Sequence, residues 1–354
     1  MDRRQLLIGG LATPLAATAA TRALAEGSSG YYIGDMHYHL FFFGKNPAPS
    51  NPLRRMMARG NATLVSWSLV GDVPWLKLAK GGFTQKGLPK NAKEPVTWFD
   101  EELARIMKHL DEQKLKVVRT ADDVDLAVKG EPHVVLSVEG ATFADGDLAP
   151  LAAAYEQGIR HIQLVHYIQN PIGDFQTSKP RHQGLTKFGE DVIAECNRLG
   201  ILIDLAHCTN DAVMRALELS KAPMVWSHSS VTRQRKPTWT MPIWQARQLS
   251  LEGAKAIAAK GGVVGLWAMR TDVGRSIEAY ADRMTELAEW LGEDHVAFGT
   301  DLNALANPVV SSYADLQRVV THWHRTNVPP ARIRKLAIEN YASVLRQAFA
   351  ARTA

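Results

Sequence analysis

Eight short, almost wholly apolar runs recur along the chain, separated by stretches with helical spacing. The runs are Tyr31–Gly34, Ala62–Leu69, Val134–Val138, His161–Val165, Ile201–Leu205, Met224–Trp226, Val263–Trp267 and Val296–Gly299. They do not alternate apolar with polar, so they predict strands buried on both faces, as in a parallel sheet. Between them, "DEELARIMKHLDEQ" puts Leu103, Ile106, Met107 and Leu110 on one helical face. Thr120 followed by Asp123 reads as an N-cap, and Gly200 as a C-cap. Eight strand–helix units in 354 residues predict an α/β fold, a (β/α)8 TIM barrel with long βα loops. A doubly wound open sheet is the alternative, but no G-x-G-x-x-G follows an early strand, so no dinucleotide site is expected. The Pro-, Gly- and Lys-rich regions 46–61 and 71–97 read as long loops, and the tail from Pro329 to Arg346 as short closing helices.

The first 25 residues read differently. "MDRRQLLIGGLATPLAATAATRALA" pairs Arg3 and Arg4, continues as a small-residue apolar stretch, and ends in an A-x-A site after Ala25. This predicts a twin-arginine signal peptide over 1–25 and a single barrel domain over 26–354. The expected location is periplasmic or secreted. The apolar stretch is too short and too rich in Ala and Thr for a span, and no later segment approaches ~20 apolar residues, so no membrane insertion is expected after cleavage. The formal charge is +5, of which the leader carries two, leaving about +3. With no basic stripe interleaved with aromatics, nucleic acid is not an expected partner. The two cysteines, Cys196 and Cys208, are expected as ordinary buried thiols.

Chemistry-bearing residues gather at the ends of the predicted strands. "GDMHYH" carries His37 and His39 in alternation with Asp35. "LSVEG" delivers Glu139, "QLVHY" His166, "DLAH" His207, "VWSH" His228 and "FGTDLN" Asp301. In a barrel, the strand C-termini meet on one face, where the active site sits. Each residue has an ordinary reading alone: Glu139 in a salt bridge, His166 packed in the core, Asp301 capping a helix. Five of twelve histidines at strand ends is a joint pattern that favours a metal site. Imidazole nitrogens and carboxylate oxygens suit zinc and its neighbours. The expected arrangement is two divalent metal ions, with zinc the first candidate. His37, His39 and Glu139 would hold one; Glu139, His207 and His228 the other. A hydroxide bridging them would be the nucleophile, Asp301 would carry its proton, and His166 would donate to the oxyanion. Asp204 is read as structural, and His109, His322 and His324 as surface residues.

"LSVEGA", the run from "LTKFGED" through "DLAHCTNDAVMRALELSKAPMVWSHSS", and "DHVAFGTDLN" closely resemble the membrane (renal) dipeptidases, peptidase family M19. That resemblance implies a (β/α)8 barrel with two zinc ions that hydrolyses dipeptides, often with a D-residue on the C-terminal side. It implies Glu139 as the bridging ligand and His207 and His228 as ligands of the second zinc. It further implies His166 as substrate and oxyanion contact, Asp301 as proton shuttle, and Arg247 as the group that binds the substrate carboxylate. Its partner would be a small molecule, a dipeptide or similar, and homodimers are common in the family. Three departures stand out. H-x-D becomes His37-Tyr38-His39, D-F-D-G becomes Asp301-Leu302-Asn303-Ala304, and an insertion over 233–244 brings Arg233, Arg235 and Lys236 near the site. They motivate two alternatives: the same site acting on N-acyl amino acids, lactones or other esters, and a non-catalytic periplasmic binding protein.

Overall fold

The computed structural model describes residues 30–40, 52–79, 82–233 and 236–353. The leader, the Phe41–Phe43 run and Arg235 lie outside the described residues. Eight parallel strands form the core: β1 Ile33–Tyr38, β2 Ala62–Val70, β3 His133–Glu139, β4 Ile159–Gln163, β5 Leu202–Asp204, β6 Val225–Trp226, β7 Val263–Leu266 and β8 Val296–Phe298. They pair in sequence order from β1 to β8. Every residue in them is buried, which is why the runs read as continuously apolar. Helices follow the strands, so the expected barrel architecture is present.

β1 is longer than its apolar run and carries Asp35 and His37 inside it. A register irregularity between Asp35 and Tyr38 breaks strict alternation. Asp35 belongs to the closure of the barrel, accepting from the Thr300 N–H at 2.9 Å and the Thr300 hydroxyl at 2.6 Å. A parallel bridge joins Tyr38 to Leu302, just beyond β8, and the His39 N–H donates to the Leu302 carbonyl at 3.1 Å. First and last strands thus meet at the mouth of the barrel. At the other end, the tail runs helical from Pro330 to Ala350 with one π turn, Lys335–Glu339, which sets Ile338 against Gly34 of β1.

The loop expectations need correction. Region 46–61 contains a helix, Leu53–Arg59. Region 71–97 contains an antiparallel hairpin, Leu76–Ala79 with Gly82–Gln85, and the start of a helix, Lys93–Glu112. Lysines and glycines hid the alternation in "LKLA" and "GFTQ", and such a short hairpin takes its stability from what it packs on. His109 and His322 are half-buried rather than on the surface; the His109 ring meets Trp67 edge-on at 5.5 Å. Thr120 and Asp123 form a full capping box, and Gly200 ends its helix with φ 75°. Cys196 and Cys208 are both buried and free, and burial pushes the Cys196 thiol up to about 12.

Two glycines let the end of β6 reach the mouth. A Cβ at Gly265 would lie 1.9 Å from the Ser227 carbonyl oxygen, and one at Gly299 would lie 1.7 Å from it. Ser227 is fixed backbone, held by Asp204 at 2.9 Å, so Asp204 is structural as expected. Gly299→Ala must displace this backbone at a cost of roughly 1–3 kcal/mol or more. Thermal unfolding should show a midpoint lowered by several degrees; an unchanged midpoint would contradict this packing.

Candidate metal centre

The mouth of the barrel brings every expected side chain together. Glu139 ends β3 and is the hub. Its Oε1 lies 3.4 Å from His37 Nε2, 3.5 Å from His166 Nε2, 3.2 Å from His207 Nε2 and 3.4 Å from His228 Nε2. Its Oε2 lies 3.4 Å from His39 Nε2, and Asp301 Oδ1 sits 3.4 Å from the same nitrogen. Three triples could each hold a metal ion: His37, Glu139 and His228; His37, His39 and Asp301; Glu139, His166 and His207. These tight triples cross the expected division of ligands, placing Asp301 beside the first-strand histidines and His166 beside Glu139. Asp301 caps no helix. It and His207 hold left-handed backbone, φ 55° and 69°, and Ser229 beside His228 sits at φ 128°. Non-glycine residues rarely adopt such angles, and they cluster at sites that need a side chain aimed unusually.

The outer nitrogens of four of these rings, His37, His39, His166 and His228, are already committed, while His207 Nδ1 is buried and makes no hydrogen bond. His39 Nδ1 lies 2.9 Å from the Ser68 carbonyl, to which it can only donate. Its Nε2 lone pair then faces two carboxylates, an arrangement that calls for a proton or a metal cation. Ser68 and Ser227 hydroxyls lie 3.1 and 3.4 Å from His37 Nδ1, and Ser227 also reaches His228 Nδ1 at 2.9 Å. Such outer bonds fix ring orientation in metal sites. Glu139 Oε2 is buried and makes no hydrogen bond. Buried nitrogens and carboxylate oxygens converging with an orphaned oxygen among them fit a divalent metal.

Charge follows the same logic. Burial works to raise Glu139, but the charges of His166 and His37, with bonds from His207 and His37, hold it well below the usual carboxylate range. Burial pushes His207 well below its ordinary value, with Arg247 and His166 adding to it; burial does the same to His228, with His37 and Arg247 adding. Both are neutral, the form whose lone pair binds metal. Burial works to lower His166, but Asp72 and Glu139 outweigh it and raise it.

Arg247 is fully buried at the end of a short helix, Ile243–Ala246. Its guanidinium donates to His228 Nε2 at 2.8 Å and Gln176 Oε1 at 2.9 Å, and its Nε has no hydrogen-bond partner. It lines the same cavity, about 580 Å³, as Glu139, His166 and Asp301. Arg233 instead pairs with Glu286 and lines a neighbouring cavity, and Lys236 lines another. Sequence reasoning missed Asp72, fully buried two residues past β2. It accepts from His166 Nδ1 at 2.7 Å and from the Tyr167 N–H at 3.1 Å, and so fixes the His166 ring. The rule that found Glu139, an acid at a strand end, would have found it.

The family model of the membrane dipeptidases, peptidase family M19, matches residues 83–354. An uncharacterized dipeptidase of Schizosaccharomyces pombe is 31% identical over 230 residues, 60% of this chain and 53% of that protein. Dipeptidase tcpJ of Claviceps purpurea is 24% identical over 305 residues, 83% of this chain and 68% of that protein. The chain thus spans about half the length of the first of these relatives. A solved metallopeptidase of Rhodobacter sphaeroides, bound to a phosphinate mimic of the dipeptide L-Ala-D-Ala, superposes with a TM-score of 0.74 at 20% identity, over 90% of this chain and 99% of that one. At that identity the likeness is one of fold.

Beside the centre, Asp272 accepts from Trp267 Nε1 at 2.6 Å and Gln248 Nε2 at 2.8 Å, and the Arg247 guanidinium lies 5.6 Å from the Trp267 ring. Burial pushes Asp272 up to about 6. The folded state therefore binds this proton more tightly than the unfolded one, and the group's contribution to stability falls as pH rises from about 4 to about 6. The melting temperature of the wild type relative to Asp272→Asn should fall across that window and level off above it. A difference that rises with pH would contradict this environment for Asp272.

Proposed function

The chain belongs to the membrane dipeptidase family, peptidase family M19, and from that premise we propose that it is a metal-dependent hydrolase that cuts the amide preceding a C-terminal amino acid with a free carboxylate. The observation that carries the proposal is Glu139, whose two oxygens meet five imidazoles within 3.5 Å. In this reading His37, His39 and Glu139 hold one divalent ion, and Glu139, His207 and His228 a second, with zinc the first candidate for both. Bound there, the ions would polarise the scissile carbonyl and make water nucleophilic near neutral pH.

The chain's own residues supply the rest. Arg247 takes the substrate carboxylate with a planar fork. Because it lies 2.8 Å from His228, a carboxylate it binds can stand only about one residue from the reacting carbon, which favours dipeptide-sized substrates over longer peptides. His166, held by Asp72, aims Nε2 into the centre to donate to the developing oxyanion. Asp301 accepts a proton from water and returns it to the departing nitrogen. A C-terminal D-residue is part of the proposal, supported by the L-Ala-D-Ala mimic on the Rhodobacter protein. So is export, supported by the paired Arg3 and Arg4 and by the A-x-A site ending at Ala25.

The zinc-loaded chain should release free amino acid from L,L and L,D dipeptides. Asp301→Asn should lower kcat by about 10²–10⁴-fold. Arg247→Ala should raise KM for a free dipeptide and leave the corresponding dipeptide amide unaffected. Equal effects on both, or full activity in Asp301→Asn, would overturn these roles.

A further inference from the structure

The cavity over the centre extends well beyond the reacting groups. Its outer wall is apolar: Leu78 and Phe83 from the hairpin, Ile243 and Trp244 from the short helix, with Met269 and Leu305 opposite. Leu78 leaves 75% of its surface in water there, the most exposed large hydrophobic side chain among the described residues. An apolar wall with an exposed leucine at its edge is suited to an apolar ligand group.

A free dipeptide would bring an α-ammonium to this side of the scissile bond. Among the described residues lining the cavity, the only carboxylates are Glu139 and Asp301, both engaged in the centre. The internal segments outside the described residues, 41–51, 80–81 and 234–235, contain no Asp or Glu and carry Lys45, Lys80 and Arg235. Asn303, at the place where D-F-D-G has its second acid, is neutral, and its amide N–H donates to the His39 carbonyl at 2.6 Å. A desolvated ammonium without such a partner is costly.

We propose that the group preceding the scissile amide is an uncharged apolar acyl chain, so that the preferred substrates are N-acyl amino acids of medium chain length. This rests on the hydrolase reading above and names the other half of its substrate. Water adds across the amide: the C–N bond breaks, a C–O bond forms, and a carboxylic acid and a free amino acid leave. One proton of the water passes through Asp301 to the departing nitrogen.

N-hexanoyl-alanine and norleucyl-alanine differ only by the α-ammonium and make the test. With the zinc-loaded chain, kcat/KM should favour the hexanoyl compound by about tenfold or more. It should rise up to about fourfold per methylene from acetyl to hexanoyl. Leu78→Asp, on an exposed position that leaves the fold intact, should shrink the preference several-fold by offering the ammonium a partner. Binding gives a readout independent of turnover. Fluorescence of Trp244 and Trp267 should report tighter binding of the non-hydrolysable hexanesulfonyl-alanine than of methanesulfonyl-alanine. Equal binding of the two, or equal or better cleavage of norleucyl-alanine, overturns the acyl proposal and leaves the hydrolase standing. Failure to cleave either compound or any dipeptide overturns both.

Discussion

A single buried carboxylate organises this molecule's working end. Glu139 sits where β3 opens into the barrel mouth, and imidazoles from the ends of β1, β4, β5 and β6 converge on it. One anion cannot satisfy five rings, and several of those rings are held in place by serines and carbonyls behind them. His39 shows the consequence most clearly. Its outer nitrogen must donate to Ser68, so its inner lone pair faces Glu139 and Asp301. A cation between them removes that conflict, which is why the cluster makes sense as a metal centre rather than as a polar core.

The barrel exists around this constraint. Asp35 clasps Thr300 and ties β1 to β8, which brings His37, His39 and Asp301 within reach of one another. Gly265 and Gly299 give up their side chains so that Ser227 can approach, and His228 follows it into the mouth. Asp204 holds the Ser227 N–H from below. The polar interior is therefore a set of supports, each carrying one ligand or one strand junction. Arg247 and Asp272 extend the same scheme outward through Trp267, linking the centre to the apolar cavity above it.

Much of this was legible in the chain. Parallel strands are buried on both faces, so their apolar runs stand out, and a barrel sends all their C-termini to one face; that alone gathered Glu139, His166, His207, His228 and Asp301. What escaped depends on pairing between distant segments. Asp35 looked like a third member of the histidine alternation, but its partner is 265 residues away. The hairpin over Leu76–Gln85 was masked by lysines and glycines, because its folding depends on the surface beneath it. Asp72 stood just past a strand end like the others and was passed over because it opens the stretch 71–97 that reads as a loop.

The central claim is that Glu139 organises a site for divalent metal. Metal content of the purified, zinc-loaded chain, measured by mass spectrometry after extensive dialysis, tests it most directly when set beside Glu139→Gln. The account predicts stoichiometric zinc in the wild type and its loss in the variant, with both proteins folded by circular dichroism. A folded wild type that retains no metal, or a variant that retains as much as the wild type, would contradict it.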